Sequence, residues 1–120
     1  PSLDEIIERM AAKLRTLRNC KVLAAAEEAG GLVDELDRRA GKVFADCAIY
    51  PQSSPPQALT ASGPRQLPGI DTVLEPVLGL LDRHLVAPAA AVMIGDGWRA
   101  RRIAEAASLA RVFPHGAYFG

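Results

Sequence analysis

The chain has 120 residues, of which 14 are basic and 14 acidic, so its formal net charge at pH 7 is zero. A composition that is 49% hydrophobic and 23% charged excludes a disordered chain and suffices for one core. The balanced charge argues against a nucleic-acid partner, and no apolar run approaches the roughly 18 residues of a membrane helix. No signal-peptide pattern is evident, so we expect a single cytoplasmic domain over residues 1–120.

The first two patterns are a helix and a short apolar run. Ser2 and Glu5 form a capping box ahead of an apolar stripe, which predicts a helix to about Arg18. Residues 20–26 fit a buried strand, although the three alanines followed by two glutamates fit a helix equally well. Both alternatives remain open for this segment.

A second helix and a second strand follow. The apolar spacing over residues 28–39, closed by Gly41, predicts a helix. Residues 42–50 are a compact apolar run that predicts a strand with Asp46 inside it. Residues 51–69 hold five of the nine prolines, which predicts a long loop.

The second half of the chain continues the alternation. Thr72 and Glu75 form another capping box, with Pro76 expected in the first turn, where its missing N–H costs nothing. An uninterrupted apolar run then ends in a Gly-Asp-Gly turn before an alanine-rich helical pattern. The elements are predicted at residues 72–86 (helix), 89–94 (strand), 98–110 (helix) and 111–113 (strand).

This order predicts the fold class. Alternating helices and strands are typical of an α/β domain, so we expect a single three-layer domain with a mainly parallel sheet of about four strands flanked by helices. The apolar segment 112–119 is a candidate interface strand of a homo-oligomer. Cys20 and Cys47 lie in or beside apolar strands, and we expect both to be free thiols.

Polar residues at strand ends are the candidate site. Ligands of open parallel sheets collect at the carboxyl ends of the strands, which here places Asp46, Asp96 and the residues after Phe113 at one edge. Asp96 is either an exposed carboxylate for a hard cation, beside free helix amides for an anion, or simply the N-cap of the next helix.

Residues 88–100, PAAAVMIGDGWRA, resemble the last conserved motif of the haloacid dehalogenase (HAD) superfamily, and the resemblance extends over about residues 68–118. Members of that family are mostly Mg²⁺-dependent phosphatases built on a doubly wound sheet. The resemblance implies that Asp96 is a magnesium ligand, that Asp46 is the aspartyl nucleophile and a second metal carboxylate, and that Thr60 contacts phosphate. Ser62 and Arg65 are further candidate substrate contacts beside it.

The chain departs from the family pattern at several positions. The family has an acid/base aspartate two residues after the nucleophile, whereas this chain has Ala48. Arg101 lies nearest the place of a further aspartate, and Arg65 is the one basic residue available where the family has a lysine. These departures indicate either that the resemblance covers architecture only or that the chain is a stripped, inactive relative.

Three arginines, Arg99, Arg101 and Arg102, lie at the start of the last predicted helix, where they oppose the helix dipole. They are either solvated surface groups or contacts for an anion, with Arg99 and Arg102 as the candidate binding residues. We therefore expect a non-catalytic or degenerate HAD-like domain that binds a phosphate-type anion or a protein partner.

Two alternatives are a Mg²⁺-dependent phosphate-ester hydrolase and a structural subunit of a phage or multiprotein assembly. The hydrolase requires the Asp46 and Asp96 carboxylates to lie within about 6–8 Å of each other, so that they share a hydrated Mg²⁺.

Overall fold

The computed structural model describes residues 2–27, 31–50 and 70–120. The proline-rich segment predicted at 51–69, with Thr60, Ser62 and Arg65, lies outside these residues. Helices and strands alternate along the described chain, as the sequence predicts, which confirms the α/β class. The helices are α1 Leu3–Arg15, α2 Gly31–Ala40, α3 Ile70–Arg83, α4 Gly97–Ala106 and α5 His115–Phe119, and the strands are β1 Val22–Ala26, β2 Phe44–Ile49, β3 Val92–Ile94 and β4 Arg111–Phe113.

The strands form two parallel pairs. Strand β1 pairs with β2, with Ala24 opposite Cys47, and β3 pairs with β4, with Met93 opposite Val112. The expectation of parallel pairing is confirmed, but that of one sheet of about four strands is wrong, because β1 and β3 do not hydrogen-bond to each other. A groove separates the two pairs, and helix packing rather than a strand ladder connects them.

The first core lies between α1 and α2. Ser2 caps α1 by accepting a hydrogen bond from the backbone N–H of Glu5 at 3.2 Å, as its capping box predicts. The helix ends at Arg15, about one turn earlier than expected. Its buried face packs against α2, and the apolar residues that form this core are Met10, Ala11, Leu14, Leu36 and Ala40. Residues 22–26 are a strand, which decides between the two alternatives for that segment.

The second core lies between α3 and α4. Val73 and Val77 of α3 form a buried cluster with Ile103 of α4. Tyr50, directly after β2, and Met93, within β3, pack against it. One apolar cluster therefore touches both strand pairs.

Helix α3 and the C-terminal segment also differ from their predictions. Helix α3 begins at Ile70, so Pro76 lies in its second turn instead of the first, where its ring supplies no N–H to the helix. The segment predicted as an interface strand over 112–119 is the short strand β4 followed by helix α5, and Phe119 packs against the first core. The apolar residues of the C-terminus therefore cover the chain's own core.

Each connection from a helix to the next strand contains a non-glycine residue in the left-handed region. These residues have φ between 55° and 61°, and they are Asn19, Lys42, Leu85 and Ser108. Such a conformation reverses the chain within a few residues, although it strains a side chain that carries a Cβ.

Cys20 and Cys47 are free thiols, as predicted. None of the helices in the described part of the chain has the length and apolar character that crossing a membrane requires.

We expect Leu14→Ala to lower the free energy of unfolding by about 2–4 kcal/mol, because it leaves a cavity between α1 and α2. Urea denaturation measures this change. The control Leu3→Ala removes a side chain that is 71% exposed on the same helix, and should change stability by less than about 0.5 kcal/mol. Equal effects of the two substitutions would contradict the assignment of this core.

Candidate functional site at the carboxyl ends of the strands

The residues that follow the four strands lie around one groove. Glu27 follows β1, Tyr50 follows β2, Asp96 lies beyond β3, and His115 lies beyond β4, and all of them line a groove of about 1320 Å³. Arg99 Nη1 lies 4.0 Å from Glu27 Oε1, so the carboxyl ends of the two strand pairs approach each other there. This edge carries polar groups from every strand.

The turn after β3 is built on glycine. A Cβ at Gly95 would lie 3.0 Å from the Cβ of Ala100, so glycine permits close packing of this turn on α4. Gly97 has φ of +83°, which favours glycine. The turn therefore directs the N-terminus of α4 toward the groove edge.

Asp96 occupies the N-cap position of α4, but its side chain does not cap the helix. Its Oδ1 instead accepts a hydrogen bond from the backbone N–H of His115 at 2.9 Å. The carboxylate thereby fastens the chain after β4 to the turn after β3. The N–H groups of the first turn of α4, which carries Arg99, donate no hydrogen bond to this N-cap side chain.

Arg99 is the positively charged side chain at this edge of the groove. Its guanidinium carbon lies 5.8 Å from the centre of the Trp98 ring, an arrangement that favours a cation–π contact. Trp98 is 45% exposed. Arg102, the other predicted anion contact, is exposed and does not line the groove.

Sequence reasoning missed Tyr50 and Glu27. Burial raises the pKa of the Tyr50 phenol, the Glu27 carboxylate raises it further, and Arg99 opposes the shift. These three side chains therefore act on one another electrostatically. The sequence offered one indication of these two residues, which is that each of them directly follows a strand.

Asp46 contacts residues at the C-terminal end of α3. Its Oδ2 lies 3.0 Å from Arg83 Nη2 and 2.9 Å from His84 Nε2, and its Oδ1 accepts a hydrogen bond from the Cys47 N–H at 2.8 Å. The hydrogen bonds from His84, Arg83 and the Cys47 backbone lower the pKa of Asp46. The cations at the end of α3 were the sequence signal for this contact.

Asp46 and Asp96 belong to separate sets of contacts in the described chain. Asp46 and Asp96 have no hydrogen-bond or ion-pair partner in common. Both Asp46 oxygens are engaged by other groups, and the described part of the chain contains no cluster of three or more metal-ligating side chains. Thr60, Ser62 and Arg65, to which phosphate contacts were assigned, lie outside that part of the chain.

Cys47 shares this environment without becoming a nucleophile. Burial raises the pKa of its thiol, and the carboxylates of Asp34 and Asp46 raise it further. A raised pKa keeps the thiol protonated at neutral pH.

We expect Asp46→Asn to lower the melting temperature at pH 7, because it removes the charged partner of Arg83 and His84. The folded-state pKa of Asp46 lies below its unfolded value, so the stabilisation is present above the ordinary carboxyl pKa of about 3.9 and is lost as pH falls through the folded pKa. The difference between wild type and variant should therefore narrow below about pH 4.

Thermal unfolding across a pH series measures this effect. Asp82→Asn removes a carboxylate one residue from Arg83, on the exposed side of α3, and serves as the matched control. Similar melting curves for the two variants at pH 7 would show that Asp46 holds no stabilising contact.

Comparison with known proteins identifies no relative of the chain. No protein-family model, curated protein or solved structure matches it. The resemblance of residues 68–118 to the HAD superfamily stays a prediction from the sequence.

Proposed function

We propose that this is a non-catalytic domain that binds a small phosphate-type anion at the carboxyl edge of its strands, with Arg99 as the principal contact. The observation that carries the proposal is the position of Arg99 in the first turn of α4, at the border of the groove. Its ion-pair partner in the described chain, Glu27, lies at 4.0 Å, beyond hydrogen-bond distance. An anion can form shorter, charge-assisted hydrogen bonds to the same guanidinium.

The start of α4 also favours an anion. The first turn of α4 contains no acidic residue, and Asp96 does not cap it through its side chain. The partial positive charge of a helix N-terminus therefore adds to that of Arg99. A planar guanidinium matches the oxygens of phosphate or carboxylate in a bidentate manner, which a lysine does not.

The contacts of Asp46 support binding without catalysis. A phosphohydrolase of the HAD type needs this carboxylate free to attack phosphorus, but its oxygens accept hydrogen bonds from Arg83, His84 and Cys47. The acid/base position two residues later is Ala48. The Mg²⁺-dependent hydrolase remains the alternative because the segment with Thr60 and Arg65 could supply further groups.

We expect inorganic phosphate to shift the backbone amide NMR signals of Gly97, Trp98 and Arg99 saturably. Arg99→Ala should weaken binding by about tenfold or more, because a charge-assisted hydrogen bond contributes about 1.5–3 kcal/mol. Arg101→Ala changes the net charge equally but alters a side chain outside the groove, so it should bind phosphate like wild type. Equal losses of phosphate affinity in both variants would show that binding depends on net charge alone, and would overturn the proposal.

An enzyme assay distinguishes the alternative hydrolase from the proposed non-catalytic domain. We expect no Mg²⁺-dependent turnover of p-nitrophenyl phosphate above an Asp46→Asn control. Turnover by wild type that disappears in Asp46→Asn would contradict a non-catalytic domain and establish the hydrolase.

A further inference from the structure

Strand β1 has one paired edge and one free edge. The Ala26 carbonyl accepts a hydrogen bond from the Tyr50 N–H at 2.9 Å, which directs the backbone groups of Ala26 and Ala24 toward β2. Because successive strand residues direct these groups to opposite sides, those of Leu23 and Ala25 point away from β2. Among the residues that the structure describes, no strand pairs with this second edge.

Strand β3 also has one paired edge and one free edge. The Gly95 N–H donates to the Phe113 carbonyl and the Ala110 N–H to the Ala91 carbonyl, each at 2.9 Å, so the odd-numbered residues of this strand face β4. The backbone groups of Val92 and Ile94 therefore point away from β4. Within residues 2–27, 31–50 and 70–120 this edge also lacks a strand partner.

Both strands with free edges line the same groove, and they run in the same direction. At their carboxyl ends Glu27 approaches Arg99, and before their amino ends Lys21 Nζ donates to the carbonyl of His84 at 3.2 Å. Two free strand edges beside one apolar groove present donors and acceptors that only water or an added strand can satisfy.

The size and lining of the groove also match a chain segment. Its volume of about 1320 Å³ exceeds the roughly 300–1,000 Å³ typical of small-molecule pockets. Apolar side chains line it, and those that remain exposed include Leu32, at 45%, and Val92, at 50%. A small anion at Arg99 leaves these side chains uncovered.

We propose that the groove binds an extended apolar peptide whose main chain pairs with β1 and β3 and whose terminal carboxylate lies at Arg99. A strand that runs parallel to β1 and β3 has its carboxyl end at the edge where Arg99 lies. A peptide that ran antiparallel to β1 and β3 would instead place its amino terminus beside Arg99. The assignment of the charged end rests on the proposed function, since it makes the peptide carboxylate the anion that Arg99 binds.

The test uses an acetylated peptide of alternating valine and alanine, as long as β1, with either a free or an amidated carboxyl terminus. Main-chain pairing tolerates many side chains, so a generic peptide is a suitable probe. Added to the ¹⁵N-labelled full chain, the free-acid form should saturably shift and protect from exchange the amides of Leu23, Ala25, Val92 and Ile94. The amidated form should bind about tenfold more weakly.

A proline substitution tests the free edge itself. Val92→Pro removes a donor that points into the groove and leaves the β4 ladder intact, because Val92 does not donate to β4. Ala91 has φ of −104° and ψ of 145°, a conformation that suits the residue before proline. Val92→Ala keeps the amide and removes the side chain, so it is the matched control.

We expect Val92→Pro to weaken peptide binding about tenfold or more, while Val92→Ala and the phosphate response of both variants stay close to wild type. Peptide binding that Val92→Pro leaves unchanged would overturn the proposal. Groove amides that resist exchange before peptide is added, or a wild type that does not bind the free-acid peptide, would overturn it as well. A wild type that binds both peptides equally but not phosphate would refute the anion site and retain the strand pairing.

Discussion

Helix α3 packs against β1 and β2, and through its contacts with α4 it connects this strand pair to β3 and β4. The arrangement of the molecule depends on this packing. Val73 and Val77 join Ile103 in the cluster on which Tyr50 and Met93 rest. At the other end of the helix, Arg83 and His84 contact Asp46 of β2. Because β1 and β3 share no hydrogen bonds, side-chain contacts hold the two strand pairs together. In most parallel sheets a continuous ladder of backbone hydrogen bonds connects the strands. Apolar contacts are non-directional, so they leave the separation of the two pairs less strictly defined than hydrogen bonds would.

Local patterns predicted most of the helices and strands. The Ser2 capping box and the glycine that closes α2 each depend on residues within a few positions, and the structure places them as expected. The apolar run predicted as a strand over residues 89–94 is a strand only over Val92–Ile94. Helix ends were less accurate, as the early end of α1 shows. The pairing of strands was predicted only in its direction. Whether β1 meets β3 depends on packing between distant segments, and periodicity contains no information about it.

In the candidate site too, local sequence predicted some residues, whereas others depend on packing between distant segments. Asp96 lies in the turn after β3, so the rule that ligands collect at strand ends placed it at the edge, whereas Arg99 was predicted from the arginines at the start of the next helix. Asp46 lies within a strand, and its partners come from the far end of a helix 37 and 38 positions later. Motif resemblance assigned it a chemical role, whereas its actual contacts were set by how α3 lies across β2. Tyr50 carries no motif, and its interaction with Glu27 and Arg99 becomes visible only in three dimensions.

The left-handed residues before each strand limit where the chain tolerates insertions. Asn19, Lys42, Leu85 and Ser108 occupy connections whose backbone conformation is demanding, so insertions there would displace the strand that follows. The turn after β3 is similarly restricted, because Gly97 has φ of +83° and a Cβ at Gly95 would lie 3.0 Å from the Cβ of Ala100. Variation among descendants of this chain, or in a library built on it, should therefore accumulate outside these turns. At the edge that carries Arg99, we expect binding specificity to change by exchange of side chains and not by a change in the length of this turn.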